Sequence, residues 1–176
     1  MAIVYFSLGS NEGDRLNFLV LATKLIARLI GEVMQYSSVI ESEPWGFKTE
    51  TKFYNMVLSV ETKYTPQQVL TKILDIEASL GRIRHGQVYS NRVIDIDILI
   101  YNAEIINDEK LVIPHPMMHK RKFVLLPLAE LIPDMIHPVF QTSVSELLME
   151  LIDSNPISKV VDHEEFASLL HTINHS

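Results

Sequence analysis

The stretch Val-Ile-Asp-Ile-Asp-Ile-Leu-Ile-Tyr, residues 93–101, decides the fold of this chain and much of its chemistry. Side chains alternate between the two faces of a β-strand, so the isoleucines at the even positions from 94 to 100 share one apolar face. That face predicts a strand packed on a core. The opposite face presents Asp95 and Asp97, whose backbones lie about 7 Å apart in an extended strand.

The hydrophobic pattern on both sides of this stretch predicts the order strand, helix, strand, strand, helix, strand. The second helix has the clearest start, because Thr65 can cap it, Pro66 suits its first turn and Gln68 completes a capping box. We expect an α+β fold: a ferredoxin-like βαββαβ sandwich, with helices packed on an antiparallel sheet and extra C-terminal helices. Strands are predicted over residues 3–8, 33–40, 55–61 and 93–101, and helices over residues 16–30, 66–80, 123–131 and 144–152.

The composition sets further bounds on the class of protein. The chain has 176 residues, 47% of them hydrophobic and 21% charged, which is typical of a globular protein. We expect one domain over residues 1–158 and a carboxyl-terminal extension of uncertain structure over residues 159–176. The absence of cysteine excludes a disulfide scaffold, a thiol nucleophile and thiolate zinc sites. The net charge of −7 argues against general nucleic-acid binding.

The sequence also bears on where the protein is found. No apolar run approaches the roughly 18 residues that a membrane span needs. The first nine residues lack the basic region of a signal peptide and become polar early. We therefore expect a cytoplasmic protein.

Asp95 and Asp97 are candidate metal ligands. Like charges on a half-buried strand repel each other unless a cation lies between them. Hard oxygen ligands favour Mg²⁺, which needs only one or two carboxylates when phosphates supply the remaining ligands. A solvated strand end would account for the same pair without a metal, so both interpretations stay open at this point.

Basic residues cluster on both sides of the Asp pair in an otherwise acidic chain. Arg82, Arg84 and Arg92 come before the strand with no acidic residue between them, and residues 120–122 form a second cluster after His115. Guanidinium groups bind phosphate oxygens through paired hydrogen bonds and keep their charge when desolvated. Arginines beside a magnesium-binding carboxylate pair are typical of polyphosphate transfer. An exposed basic loop is the alternative.

A buried acid and a group of loop aromatics complete the candidate site. Glu77 falls inside the apolar arc of the second predicted helix, where it needs a partner: a salt bridge to Arg82 or Arg84, or a ligand. Flat rings with the Asn55 amide nearby suit a planar heterocycle, which would bind by stacking and by hydrogen bonds along its edge. Phe53 and Phe123 could equally pack in the core. The loop aromatics are Trp45, Phe47, Phe53, Tyr54, Tyr89 and Phe123.

These features together resemble the 6-hydroxymethyl-7,8-dihydropterin pyrophosphokinase family of folate biosynthesis. The match covers the chain from its amino terminus to about Pro138, with the order and spacing of the family's motifs. Its most specific part is the arginine-rich loop that leads into the Asp pair and is followed by Pro-His-Pro. The matching residues are Leu8-Gly9-Ser10-Asn11, Phe53-Tyr54-Asn55, Glu77, Gly81-Arg82-Ile83-Arg84, Arg92, Ile94 to Leu99, Pro114-His115-Pro116, Arg121, Phe123-Val124-Leu125 and Pro127-Leu128.

The resemblance implies transfer of pyrophosphate from ATP to the pterin hydroxymethyl group, with release of AMP. It implies two Mg²⁺ ions, held by Asp95 and Asp97 and arriving with ATP. It also implies that Arg82 and Arg92 lie on a mobile loop that closes the site. The implied catalytic residues are Arg82, Arg92, Asp95 and Asp97. The implied ATP-binding residues are Glu77, Arg84, Arg92, Ile98, His115 and Arg121. The implied pterin-binding residues are Trp45, Phe53, Asn55, Asp95 and Phe123.

The partners expected on this resemblance are ATP and hydroxymethyldihydropterin, for a monomer that binds neither nucleic acid nor membrane. Two other functions stay open from the residues alone. One is a different magnesium-dependent phosphotransferase or a nuclease on the same fold. The other is a non-catalytic module that binds nucleotide or pterin, because a fold does not determine a function.

Overall fold

The computed structural model describes residues 1–83 and 90–172 of the chain. Within those residues the chain forms eight strands and five helices. A single 3₁₀ turn at Met118–Lys120 precedes the third helix. The strands are β1 (Ala2–Ser10), β2 (Gly31–Tyr36), β3 (Val39–Ser42), β4 (Phe53–Thr62), β5 (Asp95–Tyr101), β6 (Ile106–Asn107), β7 (Val112–Ile113) and β8 (Ile157–Val161), and the helices are α1 (Arg15–Leu29), α2 (Pro66–Ser79), α3 (Lys122–Leu131), α4 (Val144–Glu150) and α5 (His163–Thr172).

The main sheet is antiparallel and runs in the order β5-β1-β4-β3-β8, with β2 paired to the other half of β4. This confirms the predicted α+β class with an antiparallel sheet. The single strand predicted over residues 33–40 is wrong, because one extra residue interrupts its pairing with β4. There the Ser37 hydroxyl accepts the backbone N–H of Val57 at 2.9 Å, and the Ser38 N–H donates to Glu130 at 2.8 Å. The two serines thus divide the strand into β2 and β3.

Helices cover both faces of the sheet. Successive side chains of a strand point to opposite faces, and here both sets include apolar residues, so each face needs a covering layer. On one face, Phe6 and Leu58 pack with Ile26 of α1 and Ile73 of α2. On the other face, Val57 and Leu99 pack with α3 in a second apolar cluster. The sheet is therefore buried between two helical layers, and the odd-numbered aspartates of β5 lie on the α3 side.

The alternation along β5 breaks at Leu99. The register with β1 shifts there, so that Tyr5 pairs with Ile100 while Phe6 pairs with Ile98. Ile100 consequently packs in the cluster on the α3 side, and Tyr101 turns to the α1 side. The expectation that Ile100 shares a face with the other isoleucines is wrong, because a β-bulge reverses the alternation of the residues that follow it. The Leu99 carbonyl accepts the backbone N–H of His115 at 2.8 Å.

The predicted start of α2 is confirmed in detail. The Thr65 hydroxyl accepts the N–H of Gln68, and the Gln68 side chain accepts the N–H of Thr65. Changing Thr65 to alanine is expected to lower the free energy of unfolding by about 1 kcal/mol, because the N–H of Gln68 loses its side-chain acceptor. Urea denaturation measures this loss. Since Thr65 is exposed and far from the cavity described below, an accompanying fall in kcat would contradict this purely local role.

The carboxyl-terminal residues are tied to the sheet. β8 pairs with β3, from Val39 opposite Val161 to Ser42 opposite Ile157. The ring of Phe166 in α5 is fully buried, with its centre 5.7 Å from that of Tyr36. The boundary expected at residues 158 and 159 falls within β8. In the two described ranges, no helix is both long and apolar enough to cross a membrane.

Candidate active site

The two aspartates of β5 line a cavity beside the middle strands of the sheet. Ser7 of β1 lies opposite Asp97, and Gly9 lies opposite both Asp95 and Asn55 of β4. Residues directly opposite one another in an antiparallel pair point to the same face. Because Ser7 and Gly9 are small, space remains between the carboxylates and the Asn55 amide. The cavity at this position has a volume of about 240 Å³.

Asp95 is paired with two arginines. Arg82 donates through the same nitrogen to Asp95 and to Glu77, and Arg92 Nη1 lies 3.2 Å from the second oxygen of Asp95. Glu77 also accepts the backbone N–H of Ile96 at 2.8 Å and is only 1% exposed. The salt bridge predicted between Glu77 and Arg82 is therefore present. Glu77 lies behind the cavity wall, where it holds Arg82 toward Asp95.

Asn11 holds the backbone that carries Arg92. Its side-chain oxygen accepts the N–H of Arg92 at 2.8 Å, and its backbone N–H donates to the Arg92 carbonyl at 3.1 Å. Its amide nitrogen donates to Asn91 at 2.8 Å. Asn11 is 1% exposed, so these contacts are shielded from water. They attach the chain just before β5 to the end of β1.

Asp97 lies between His115 and Arg121. Its Oδ2 atom is 3.8 Å from Nε2 of His115 and 3.8 Å from Nη1 of Arg121. Burial, and after it the negative charge of Asp95, raises the pKa of Asp97 to about 7, while Arg121 opposes the rise. The ionised form of Asp97 is thus costly in the ligand-free protein. A cation placed between Asp95 and Asp97 would remove that cost.

His115 faces the cavity as a neutral hydrogen-bond donor. Its Nδ1 atom accepts the backbone N–H of Met117 at 3.1 Å. An imidazole whose Nδ1 is an acceptor carries its proton on Nε2, and in His115 that atom is the one nearest Asp97. Burial, together with the positive charge of Arg121, lowers the pKa of His115 to about 4, against the opposing effect of Asp95. His115 can therefore donate to an anion without adding a charge.

The low pKa of His115 predicts how stability changes with pH. Between about pH 6.5 and pH 4 the unfolded chain binds a proton at this imidazole and the folded chain does not, so the free energy of unfolding falls as the pH falls. His115→Asn should lose less stability than the wild type between pH 7 and pH 5 in urea denaturation. Imidazole NMR should show His115 with its proton on Nε2 at pH 5.5. A midpoint near pH 6.5 for His115 in the folded protein would contradict this assignment.

Aromatic side chains form the other half of the cavity. Phe53, Trp45 and Phe123 line it together with Asn55. The Asn55 amide nitrogen donates to the Ser42 hydroxyl at 2.8 Å. Its oxygen points toward Gly9, because a Cβ atom added at Gly9 would lie 3.0 Å from it. A flat heterocycle can stack here on the rings and donate hydrogen bonds to the amide oxygen.

The donor set at the Asp pair fits magnesium delivered with a polyphosphate. Among residues 1–83 and 90–172, no group of three or more histidine, aspartate and glutamate side chains could enclose a metal ion. Two carboxylates with open space beside them are what Mg²⁺ uses when phosphate oxygens and water complete its octahedron. Burial, and after it the charge of Asp95, raises the pKa of Asp97 to about 7, so a nearby cation would stabilise its ionised form.

Most of the site residues expected from the sequence come together around this one cavity. Among the described residues four do not line it: Glu77, described above; Ile98, which is 5% exposed and packs in the core on the α1 and α2 face; and the loop aromatics Phe47 and Tyr54. Any contact of Ile98 with ATP would have to use its backbone. Arg84 and Tyr89 lie outside the described residues. The expected residues that do line the cavity are Trp45, Phe53, Asn55, Arg82, Arg92, Asp95, Asp97, His115, Arg121 and Phe123.

Four cavity residues had no role assigned from the sequence: Ser7, Gly9, Ser42 and Glu43. Gly9 belongs to a quoted motif, but a glycine at the end of a strand is also typical of a simple turn. Its importance depends on Asn55 and Asp95 lying on either side of it. Ser42 could have been found only through its hydrogen bond to Asn55, which joins two different strands.

Comparison with known proteins gives clear matches. A family model described as 7,8-dihydro-6-hydroxymethylpterin-pyrophosphokinase matches residues 5–133. The chain is 39% identical over 150 residues to the 2-amino-4-hydroxy-6-hydroxymethyldihydropteridine pyrophosphokinase of Aquifex aeolicus, covering 85% of this chain and 92% of the relative. It is 40% identical over 141 residues to the enzyme of the same name from Porphyromonas gingivalis, covering 78% of this chain and 95% of the relative.

Solved structures share the architecture at much lower identity. A Plasmodium falciparum HPPK-DHPS chain matches with a TM-score of 0.71 and 18% sequence identity, over 85% of this chain and 44% of that chain. This chain therefore spans less than half the length of that solved protein, and the likeness shows the fold alone. The matched family region, residues 5–133, includes every element from α1 to α3 and all the cavity-lining residues.

Proposed function

Because the chain belongs to the 7,8-dihydro-6-hydroxymethylpterin-pyrophosphokinase family, we propose that it transfers pyrophosphate from ATP to 6-hydroxymethyl-7,8-dihydropterin in folate biosynthesis. The products are AMP and the pterin diphosphate. The observation that carries this proposal is a single cavity with two chemically different halves. An aromatic half with one amide adjoins a half that contains two carboxylates and three guanidinium groups.

The aromatic half suits the pterin. Phe53 and Phe123 would stack on its flat ring, and Trp45 closes the cavity beside them. Asn55 would accept hydrogen bonds from the pterin edge, since its oxygen points into the space above Gly9. The Ser42 hydroxyl, which accepts from the Asn55 nitrogen, fixes which end of the amide faces the ligand. This orientation would direct the hydroxymethyl group toward Asp95 and Asp97.

The charged half suits the ATP phosphates. Arg92 and Arg121 can each bind phosphate oxygens, and neutral His115 can donate from Nε2. Arg82 approaches from the Glu77 side and reaches Asp95. Arg84, Glu77 and Ile98 stay predicted ATP-binding residues on the family resemblance. Together these groups would fix the triphosphate so that its β-phosphorus faces the pterin hydroxyl.

The reaction is an in-line displacement. The pterin hydroxyl oxygen forms a bond to the β-phosphorus, the bond from that phosphorus to the oxygen of the α-phosphate breaks, and AMP leaves with the bonding electrons while the hydroxyl proton is released. Asp95 and Asp97 would hold the magnesium, two ions by family resemblance, whose charge would offset that of the phosphates and make the attacking hydroxyl more acidic. The arginines would stabilise the negative charge that develops on the transferred group, and the rings would exclude water.

One end-point assay tests the proposal. The purified protein, incubated with ATP, Mg²⁺ and hydroxymethyldihydropterin, should form AMP and pterin diphosphate in equal amounts, and should form no AMP when the pterin is left out. Formation of ADP, or cleavage of added nucleic acid, would favour a different phosphotransferase or a nuclease. Calorimetric binding of pterin that an ATP analogue strengthens, with no AMP formed from ATP, would favour a non-catalytic module.

Gly9 provides a test of the pterin half. In Gly9→Ala the new methyl group would lie 3.0 Å from the Asn55 oxygen and 3.7 Å from the Phe53 ring. We expect the KM for pterin to rise by roughly tenfold, because the amide must move out of position, while the KM for ATP stays close to the wild-type value. Steady-state kinetics with each substrate varied in turn measures both. An equal rise in both KM values would mean that Gly9 does not belong to the pterin half.

Finer features of the architecture are also proposed here. The order β5-β1-β4, with both β2 and β3 paired to β4 and with α1 and α2 on one face, supports a ferredoxin-like βαββαβ core. We further propose a single domain for residues 1–158, with residues 159–176 as its extension, and a monomer. Pairing of β8 with β3 supports treating that extension as part of the same folded unit. A cytoplasmic location stays a prediction from the sequence.

A further inference from the structure

Trp45 and Arg121 are in contact although they come from opposite sides of the cavity. The guanidinium carbon of Arg121 lies 4.7 Å from the centre of the Trp45 ring and 6.0 Å from that of Phe123. Arg121 is the residue that caps the start of α3, and its exposed fraction is 9%. A long, charged side chain is thus buried against aromatic surface on the wall of the cavity, with its Nη1 atom toward Asp97.

The loop that carries Trp45 is braced at both ends. It joins β3 to β4, and Gly46, with a φ of 82°, turns the chain directly after Trp45. Lys52 Nζ lies 2.9 Å from Glu43 Oε1, and Arg15 donates to the Lys52 carbonyl at 2.8 Å. These contacts limit how far the loop can shift. The indole is therefore presented to Arg121 from a supported position.

The chemistry of the pair is that of a cation on an aromatic face. Guanidinium is planar and weakly hydrated, and tryptophan is the aromatic side chain on which it stacks best. Stacking leaves the nitrogen atoms at the edge of the guanidinium free to bind phosphate oxygens. An indole at residue 45 can therefore orient Arg121 for phosphate without competing for the hydrogen bonds that Arg121 makes.

We propose that Trp45 is a positioning residue for the nucleotide: it holds the Arg121 guanidinium toward Asp97 and the ATP phosphates. This inference rests on the proposed function and deepens it, since it gives a residue expected on the pterin side a role in binding ATP. The contact between Trp45 and Arg121 also links the aromatic half of the cavity to the charged half. Loss of the indole should then weaken ATP binding even though Trp45 is not itself a phosphate ligand.

Substitutions at residue 45 test the inference through the KM for ATP. In Trp45→Leu the KM for ATP should rise by about tenfold to thirtyfold, and Trp45→Phe, which keeps a ring, should recover most of the loss. Phe47→Leu is the matched control, because Phe47 lies on the same loop and packs against Phe53 on the aromatic side of the cavity, with ring centres 6.1 Å apart. Its KM for ATP should stay at the wild-type value. A rise in the KM for pterin alone in Trp45→Leu would overturn the inference.

A double-mutant cycle separates positioning from a general effect of the loop. In an Arg121→Gln background, Trp45→Leu should raise the KM for ATP no further, because the group that the indole positions is already gone. A second rise equal to the first would show that Trp45 acts independently of Arg121, and the inference would fail.

Fluorescence gives a readout that does not need turnover. Trp45 is the only tryptophan of the chain, so emission excited at the tryptophan band reports on this residue alone. Inorganic tripolyphosphate with Mg²⁺ should change that emission in the wild type, and the change should be absent in Arg121→Gln. The same change in both proteins would overturn the inference. Failure of the proposed function would be detected separately, because the wild-type protein would then form no AMP in the end-point assay.

Discussion

Asp97→Asn should lower kcat/KM by about a thousandfold or more, which corresponds to about 4 kcal/mol of lost transition-state stabilisation. Asparagine keeps the shape of the side chain but removes the charge that would hold magnesium against the phosphates. Asp97 faces the cavity with Arg121 and His115 both 3.8 Å away, beside the space in which the phosphates would bind. Steady-state assays at saturating Mg²⁺ measure the loss.

The stability of the same variant shows whether the loss is chemical or structural. Burial and Asp95 raise the pKa of Asp97 to about 7, so above that pH the folded protein contains an ionised group that the fold disfavours. Removing that charge should leave Tm at pH 8 equal to the wild-type value or above it. Asp75→Asn, on the exposed side of α2, is the matched control and should change neither rate nor Tm. An active Asp97→Asn enzyme would exclude the proposed metal site.

Arg82→Ala is expected to lower kcat by roughly a hundredfold to a thousandfold, with a much smaller change in the KM for either substrate. Arg82 binds Asp95 and the buried Glu77 at once, and it directly precedes the segment that contains Arg84. A guanidinium in this position can stabilise charge that develops on the transferred pyrophosphate. If Arg82 instead binds ground-state ATP, the KM for ATP will rise and kcat will stay constant.

The same substitution carries a cost in stability that has to be separated from its effect on rate. Glu77 is 1% exposed, and losing its ion pair with Arg82 should lower the free energy of unfolding by up to about 3 kcal/mol. Arg82→Lys keeps a charge near Glu77 but lacks the planar fork, so it should recover more stability than rate. Arg28→Ala, on the exposed face of α1, controls for the loss of a basic side chain. Equal recovery of rate and stability by lysine would contradict a specific role for the guanidinium.

Local patterns in the sequence were sufficient for much of the fold. Thr65 and Gln68 were expected to form the capping box seen at α2, because a cap depends on residues within one turn. The single strand expected over residues 33–40 is wrong, because the chain between β2 and β3 has one residue more than β4 opposite it, and Ser37 and Ser38 there bond to Val57 and Glu130 of other elements. Ile100 was placed on the wrong face for a similar reason, since the bulge depends on how β5 pairs with β1.

The sequence by itself determined the charged groups of the site. Alternation along one strand puts Asp95 and Asp97 on the same side. The arginines shortly before that strand include Arg82 and Arg92, the partners of Asp95. Only the tertiary structure decided what faces those groups. Gly9 comes to lie between Asp95 and Asn55, Glu77 comes to lie behind the cavity wall, and Trp45 comes to lie over Arg121. Contacts of this kind join residues that are far apart in the chain, and they arise from strand register and core packing. Strand periodicity and helix caps, in contrast, depend only on residues that are close together in the sequence.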